Sequence, residues 1–191
     1  MKLYGLSILA FAVLLVSQAH AEGAFNKNLT HQGMNFHVTC ANQGSENRLR
    51  ITPSGAGHAP RVIEQMVDGT VVGAEIADLD GNGAPEIYVF VQSAGSGSYG
   101  AVVGHVINAG ASTSPITMPE LTDDPKASAG YMGRDRFSIA RDRLVRQFPI
   151  YREGDSNASP SGGTRQVQYR LVRRDATWAL QLVAEETKEV L

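Results

Sequence analysis

The chain has 191 residues, of which 42% are apolar and 19% charged, and its formal net charge is -2. That balance excludes a disordered or fibrous chain and gives no whole-molecule attraction to nucleic-acid phosphate. Aromatics make up 7% with a single Trp, too few for a base-stacking platform, and twenty glycines against eight prolines point to many tight turns between short strands.

Residues 1–21 read as a cleaved secretory signal. Lys2 supplies the positive end, Leu6 to Val16 the apolar run, and Ala19-His20-Ala21 the small-x-small cleavage site. The run is about eleven residues, short of the roughly twenty a bilayer span needs. No Cys sits at the cleavage point, so the expectation is a periplasmic protein without a membrane anchor. Residues 22–191 then form one β domain, and removing Lys2 leaves 16 basic against 19 acidic residues, a net charge of -3. Cys40 is the only cysteine, which excludes an intrachain disulfide. Beside Phe36 and Val38 it reads as a buried thiol, with an intermolecular disulfide as the alternative.

Period-two alternation begins at Phe36-x-Val38-x-Cys40 and Leu49-x-Ile51, the pattern of half-buried strands. Arg61 to Val67 and Val71 to Ala77 flank Asp68-Gly69, a hairpin turn signal. The nearly continuous apolar run Ile87 to Val91 reads as a central strand covered on both faces. Ala101 to Ile107, Phe137-x-Ile139, Leu144 to Phe148, Val167-x-Tyr169-x-Leu171 and Trp178-x-Leu180-x-Leu182 continue the series. The one candidate helix is Pro119 to Ala129, limited by Pro125 and Gly130. The expectation is an all-β, antiparallel β-sandwich of about eight short strands with at most one short helix.

Charge is uneven. Residues 22–130 carry 5 basic and 11 acidic groups, whereas 131–174 carry 10 Arg and 4 acids. Those arginines, among them Arg141, Arg143 and Arg170, alternate with apolar residues and read mostly as the solvent side of strands, with a basic surface for an acidic partner as the alternative.

Three loops stand out. Ser93-Ala94-Gly95-Ser96-Gly97-Ser98-Tyr99-Gly100 lies between two apolar strands without a charge, and Tyr99 is a large amphipathic ring that a flexible linker does not need. Its Ser96 and Tyr99 hydroxyls suit a cleft on another molecule. Ser98 does not fit a hydrolase elbow, because a β-branched strand and not a helix follows it. His31, His37, His58 and His105 are scattered without catalytic spacing.

The second loop, Asp78-Leu79-Asp80-Gly81-Asn82-Gly83-Ala84-Pro85-Glu86, is similar to the start of a calcium loop, with Asp78, Asp80 and Asn82 as weak metal candidates and Glu86 as a possible fourth. A turn capped by Asp and Asn side chains explains the same residues without a metal, and the twelfth position of an EF-hand loop is Val89. The third, Gly154 to Gly163, is a long polar connection. Zinc signatures, P-loops and dinucleotide fingerprints are absent from the sequence, so no cofactor is expected.

The D-L-D-G-N-G-x-P-E turn, the strand Ile87 to Val91, the S-A-G-S-G-S-Y-G loop, Arg136-Phe137-Ser138-Ile139, Arg143 to Tyr151, the G-D-S-N-A loop and Gln166 to Leu171 together resemble the periplasmic inhibitors of i-type (invertebrate) lysozymes, over most of residues 35–183. The resemblance implies a dimeric β-sandwich, not an enzyme, that inserts Ser96-Gly97-Ser98-Tyr99 into the lysozyme active-site groove. It also implies a basic side chain from a second loop, for which Arg134 is the candidate. Inhibitors of chicken-type lysozyme resemble the chain less closely and are one alternative. A calcium-dependent binding or adhesion module built on Asp78–Glu86 is the other.

Overall fold

The computed structural model describes residues 23–55, 61–108 and 112–188. The expected signal segment and His58 lie outside the described residues. Twelve strands account for nearly all the regular structure: β1 (Phe25–His31), β2 (Met34–Cys40), β3 (Glu46–Gly55), β4 (Ile63–Asp68), β5 (Thr70–Ala77), β6 (Glu86–Gln92), β7 (Gly100–Ile107), β8 (Thr113–Thr117), β9 (Arg136–Ala140), β10 (Arg143–Pro149), β11 (Thr164–Arg174) and β12 (Thr177–Lys188). They form a four-stranded sheet in the order β1-β2-β3-β4 and an eight-stranded sheet in the order β5-β6-β7-β8-β12-β11-β10-β9. The protein is an all-β, sandwich-like fold.

The alternating residues build two cores. Phe36, Val38 and Cys40 of β2 and Leu49 and Ile51 of β3 pack against Val71 and Ala74 of β5 and Ile87, Val89 and Val91 of β6. Tyr88 and Phe90 point from the other face of β6 into a second core with Leu144, Phe148, Val167, Tyr169, Leu171 and Leu180. Every residue from Glu86 to Val91 is therefore buried, as the unbroken apolar run predicts for a strand covered on both faces. Cys40 is a buried thiol within the first core, and burial keeps it from a second chain.

The eight-stranded sheet curls until its edge strands β5 and β9 approach each other. Phe90 stacks on Phe137 with centroids 5.8 Å apart, and the Ile139 N–H donates to Glu75 Oε2 at 3.0 Å. Side chains, not a backbone ladder, complete this edge. Asn42 Oδ1 accepts from Val71 N at 2.9 Å while its Nδ2 donates to Val71 O at 3.0 Å, and Lys27 Nζ donates to Ala74 O at 2.9 Å.

Four expectations are corrected. Among the described residues there are twelve strands and not about eight: β1 and β8 were too polar or too short to show alternation. Pro119 to Ala129 is not a helix. Only a 3-10 turn, Leu121–Asp123, forms, because Pro125 has no N–H to give and the Asp124 carboxylate captures the N–H groups of Lys126 and Ala127. The sheets are not wholly antiparallel, since β8 and β12 pair in parallel.

Asp68-Gly69, finally, is not a hairpin turn. It carries the chain from β4 in one sheet to β5 in the other. Gly69 has φ +121°, and a Cβ there would stand 2.2 Å from Gln92 O, so the crossing passes too close to the neighbouring backbone for any side chain. Its carbonyl accepts from buried Asn47 Nδ2 at 2.8 Å, which fixes the bend.

Candidate functional site

The Ser93–Tyr99 loop joins β6 to β7 and is held by backbone contacts. Its neck closes twice: Ser93 N–H donates to Tyr99 O and Tyr99 N–H donates to Ser93 Oγ, both at 2.9 Å. Inside the neck, Ser98 N–H donates to Gly95 O at 2.9 Å, making a tight turn with Ser96 and Gly97 at its tip. Gly97 lies against the Tyr99 ring so closely that a Cβ would fall 2.4 Å from Cε2.

Two other loops grip this one from outside. Arg134 N–H donates to Gly97 O at 2.8 Å and to Ser98 O at 3.2 Å. Asn157 Nδ2, from the long polar connection, donates to Ser96 O at 3.0 Å. Gly133 makes the first grip possible: with φ +91° its α-carbon sits where a Cβ would meet Gly97 O at 2.0 Å. Ser98 at φ 46° and Arg134 at φ 61° both adopt the left-handed conformation that non-glycine residues enter at a cost, and the hydrogen bonds between them hold that strain in place.

Beneath the loop lies a buried polar network that the sequence reading missed. Asp135 Oδ2 accepts from Gly100 N–H at 2.7 Å and from the Tyr131 hydroxyl at 2.6 Å, while its Oδ1 accepts from Arg146 Nε at 2.6 Å. Arg146 also donates to the Tyr131 hydroxyl at 2.6 Å, and its guanidinium sits 4.9 Å from the Tyr131 ring centroid and 5.5 Å from that of Phe137. Burial would lower the Arg146 pKa, but the hydrogen bond and charge of Asp135 outweigh it and the net shift is upward. Burial, then the Asp135 hydrogen bond, push the Tyr131 phenol up, so it stays a protonated donor.

Tyr131 carries this network to the surface. Its ring meets Tyr99 edge-on at 5.6 Å and Phe148 at 4.7 Å. Arg146 corrects the expectation that these arginines face solvent. In β10 it lies two residues from both Leu144 and Phe148 and so shares their inward face, where only a carboxylate partner such as Asp135 makes burial tolerable. That spacing was the signal available in the sequence. Arg170 and Arg141 are exposed, and Arg143 is half-buried.

The structure thus brings together Ser96, Gly97, Ser98, Tyr99 and Arg134. Ser96 is exposed, Tyr99 is 50% exposed, and within the described residues neither of their hydroxyls is engaged in a hydrogen bond. Arg134 and Arg136 divide two surface grooves, one of 660 Å³ along the β5–β9 seam reaching Ser98 and one of 360 Å³ reaching Pro160.

The Asp78–Glu86 turn lies at the other end of β6. Asp78 accepts from Asn82 N and Gly83 N at 3.0 and 2.9 Å, Asp80 accepts from Asn82 N and Nδ2 at 3.0 and 2.7 Å, and Asn82 Oδ1 accepts from Ala84 N at 2.6 Å. This is the Asx-capped turn the sequence allowed. Asn82 is exposed and its amide is committed to the turn, whereas one oxygen each of Asp78, Asp80 and Glu86 lie within 4.8 Å of one another. Val89, at the position of an EF-hand's last ligand, is buried in β6. Burial, followed by the charges of Asp80 and Asp78, pushes the Glu86 carboxyl up to about 7 although the Leu79 N–H opposes the shift.

No family model and no curated protein matches this chain. The fold and site define an all-β protein whose loop at one strand connection is tied in place by hydrogen bonds and leaves Ser96 and half of Tyr99 exposed.

Proposed function

We propose that this protein is an exported inhibitor of i-type lysozyme that places Ser96-Gly97-Ser98-Tyr99 in the enzyme's active-site cleft and blocks peptidoglycan hydrolysis. One observation carries the reading: the loop backbone is tied at its neck and by two neighbouring loops, while Ser96 and half of Tyr99 are exposed and, among the described residues, their hydroxyls have no hydrogen-bond partner. A loop fixed in this way loses little conformational entropy on binding, which is the usual cost of recognition by loops.

A glycosidase cleft contains two carboxyl groups, about 5–5.5 Å apart in retaining enzymes, that require hydrogen-bond partners when substrate is absent. Two hydroxyls that donate and accept suit that pair, and Tyr99 adds ring area at low entropy cost. Arg134 and Arg136 beside the loop give the rim a positive charge that favours approach to an acidic cleft. In this reading the protein performs no chemistry, uses no cofactor, and acts as a homodimer in the periplasm.

The test is lysis of bacterial cell walls by i-type, chicken-type and goose-type lysozymes, with and without residues 22–191. Selective loss of i-type activity supports the proposal, and Ser96→Ala and Tyr99→Ala should then each weaken inhibition at least about tenfold, within the range for central interface residues. Inhibition of the chicken-type enzyme keeps the loop mechanism and moves the target. Loop variants that inhibit as well as the parent would overturn the mechanism.

A further inference from the structure

We infer that Asp78, Asp80 and Glu86 form a binding site for a hard divalent cation, calcium in preference to magnesium, that secures the β5–β6 connection. Asp78 and Asp80, with Asn82, Gly83 and Ala84, close the tip of the turn, and Glu86 adds to it through one oxygen alone, which accepts from Leu79 N–H. Glu86 is nonetheless drawn in beneath them, fully buried, with one of its oxygens within 4.8 Å of an oxygen from each aspartate.

Glu86 is also incompletely satisfied. Its Oε2 accepts from Leu79 N–H at 2.7 Å, but its Oε1 is buried with no hydrogen-bond partner. Two residues along the same face of β6, the fully buried Tyr88 hydroxyl lies beside Glu86 without completing a well-formed hydrogen bond to it. A buried carboxylate oxygen without a donor is costly, and among the described residues no Lys or Arg pairs with any of the three carboxylates. A cation answers both deficits at once.

The geometry and donor chemistry select the ion. Calcium–oxygen bonds of about 2.3–2.6 Å place two ligands of one ion no more than about 5 Å apart, a limit the three carboxylates meet. All the donors are oxygen, with no His or Cys, which favours a hard cation over zinc or copper. Calcium accepts irregular sets of carboxylates, carbonyls and waters, whereas magnesium demands a near-ideal octahedron. Asp78 and Asp80 are half-buried, so an ion can enter from solvent and keep part of its hydration. Three protein carboxylates place the affinity in the weak range of extracellular modules, about 0.1–1 mM.

The test follows fold stability, so it stands apart from the loop's proposed role. Chelator-stripped protein is melted in CaCl2, MgCl2 or NaCl at matched ionic strength, up to about 10 mM divalent ion. CaCl2 should raise Tm by about 3 °C or more, and MgCl2 by clearly less. Terbium should bind the same site and emit when tyrosine is excited, calcium should displace it, and Tyr88→Phe should dim the emission. Asp80→Asn, which removes a charge at a half-buried position and keeps one amide oxygen as acceptor for Asn82, should remove the calcium shift. No calcium-specific shift, or a full shift retained in Asp80→Asn, would overturn the assignment.

Discussion

The two ends of β6 are built by opposite means. At its C-terminal end the Ser93–Tyr99 loop is held mainly through its backbone groups, by its own neck with Ser93 Oγ and by Arg134 and Asn157, so the Ser96 and Tyr99 hydroxyls are left over. At its N-terminal end the Asp78–Glu86 turn is held through side chains, which fold back onto the turn's own N–H groups or into the interior. A connection can recognise a partner only with groups it does not need for itself. By that criterion the first loop has groups to spare, as the proposed function requires, and the second serves its own protein.

The largest way to break this contrast is Arg146→Ala. It leaves the Asp135 carboxylate buried beside Tyr131, and loss of one partner from such a pair costs about 3–5 kcal/mol. Urea unfolding should show that loss. Amide exchange should quicken at Gly100 and in the Ser93–Tyr99 loop while the Asp78–Glu86 turn keeps its protection.

The next effect belongs to the other end. Glu86 is raised from an ordinary 4.5 to about 7 in the folded protein, so the folded state holds the proton more tightly than the unfolded chain. In cation-free buffer its contribution is fully present below about 4.5 and is lost as pH rises through about 7, up to roughly 3 kcal/mol. Asp78, Asp80 and Tyr88 surround it. His105 acts in the opposite sense, because burial lowers its pKa and so costs stability as pH falls below its ordinary 6.5. Subtracting the pH profile of Glu86→Gln from that of the parent isolates the Glu86 contribution, and a flat difference would refute it.

Gly133→Ala should be smaller, about 1–3 kcal/mol, because the added carbon meets Gly97 O and the residue keeps a positive φ. Its effect on inhibition should exceed its effect on Tm, since it displaces the tip directly. Asn157→Ala removes one exposed hydrogen bond to Ser96 O and should cost no more than about 1 kcal/mol of stability. A few-fold faster dissociation from lysozyme, with the association rate unchanged, would show that the bond preorganises the loop.

Much of the fold was legible because period-two alternation marks a strand with one wet face. Phe36-x-Val38-x-Cys40 and Val167-x-Tyr169-x-Leu171 show it plainly, and the unbroken Ile87 to Val91 run declares a strand with no wet face. β1 escaped because Lys27, Asn28 and Thr30 dilute Phe25 and Leu29. β8 escaped because Pro115 sits within only five residues. Asp68-Gly69 has the chemistry of a hairpin turn, yet local turn residues carry no information about which sheet the next strand will join.

The loop itself was visible from Tyr99 among glycines and serines. Its supports were not, because Gly133, Arg134 and Asn157 reach it from 36 to 61 residues away along the chain, Arg134 through a backbone N–H that nearly every residue possesses and Asn157 through an ordinary side-chain amide. Arg146 was within reach of the same alternation that found Leu144 and Phe148. The general rule that arginine faces solvent concealed it.

The side chains that finish the edge of β5 have one more consequence. Asn42 presents an amide to Val71 much as a neighbouring strand would, and Lys27 occupies the Ala74 carbonyl two rungs further along. A stray strand from another molecule would have to displace both before it could pair there. A chain with a single cysteine and so no internal disulfide thereby guards against fibrillar growth, using two polar side chains as counterfeit rungs at the end of its ladder.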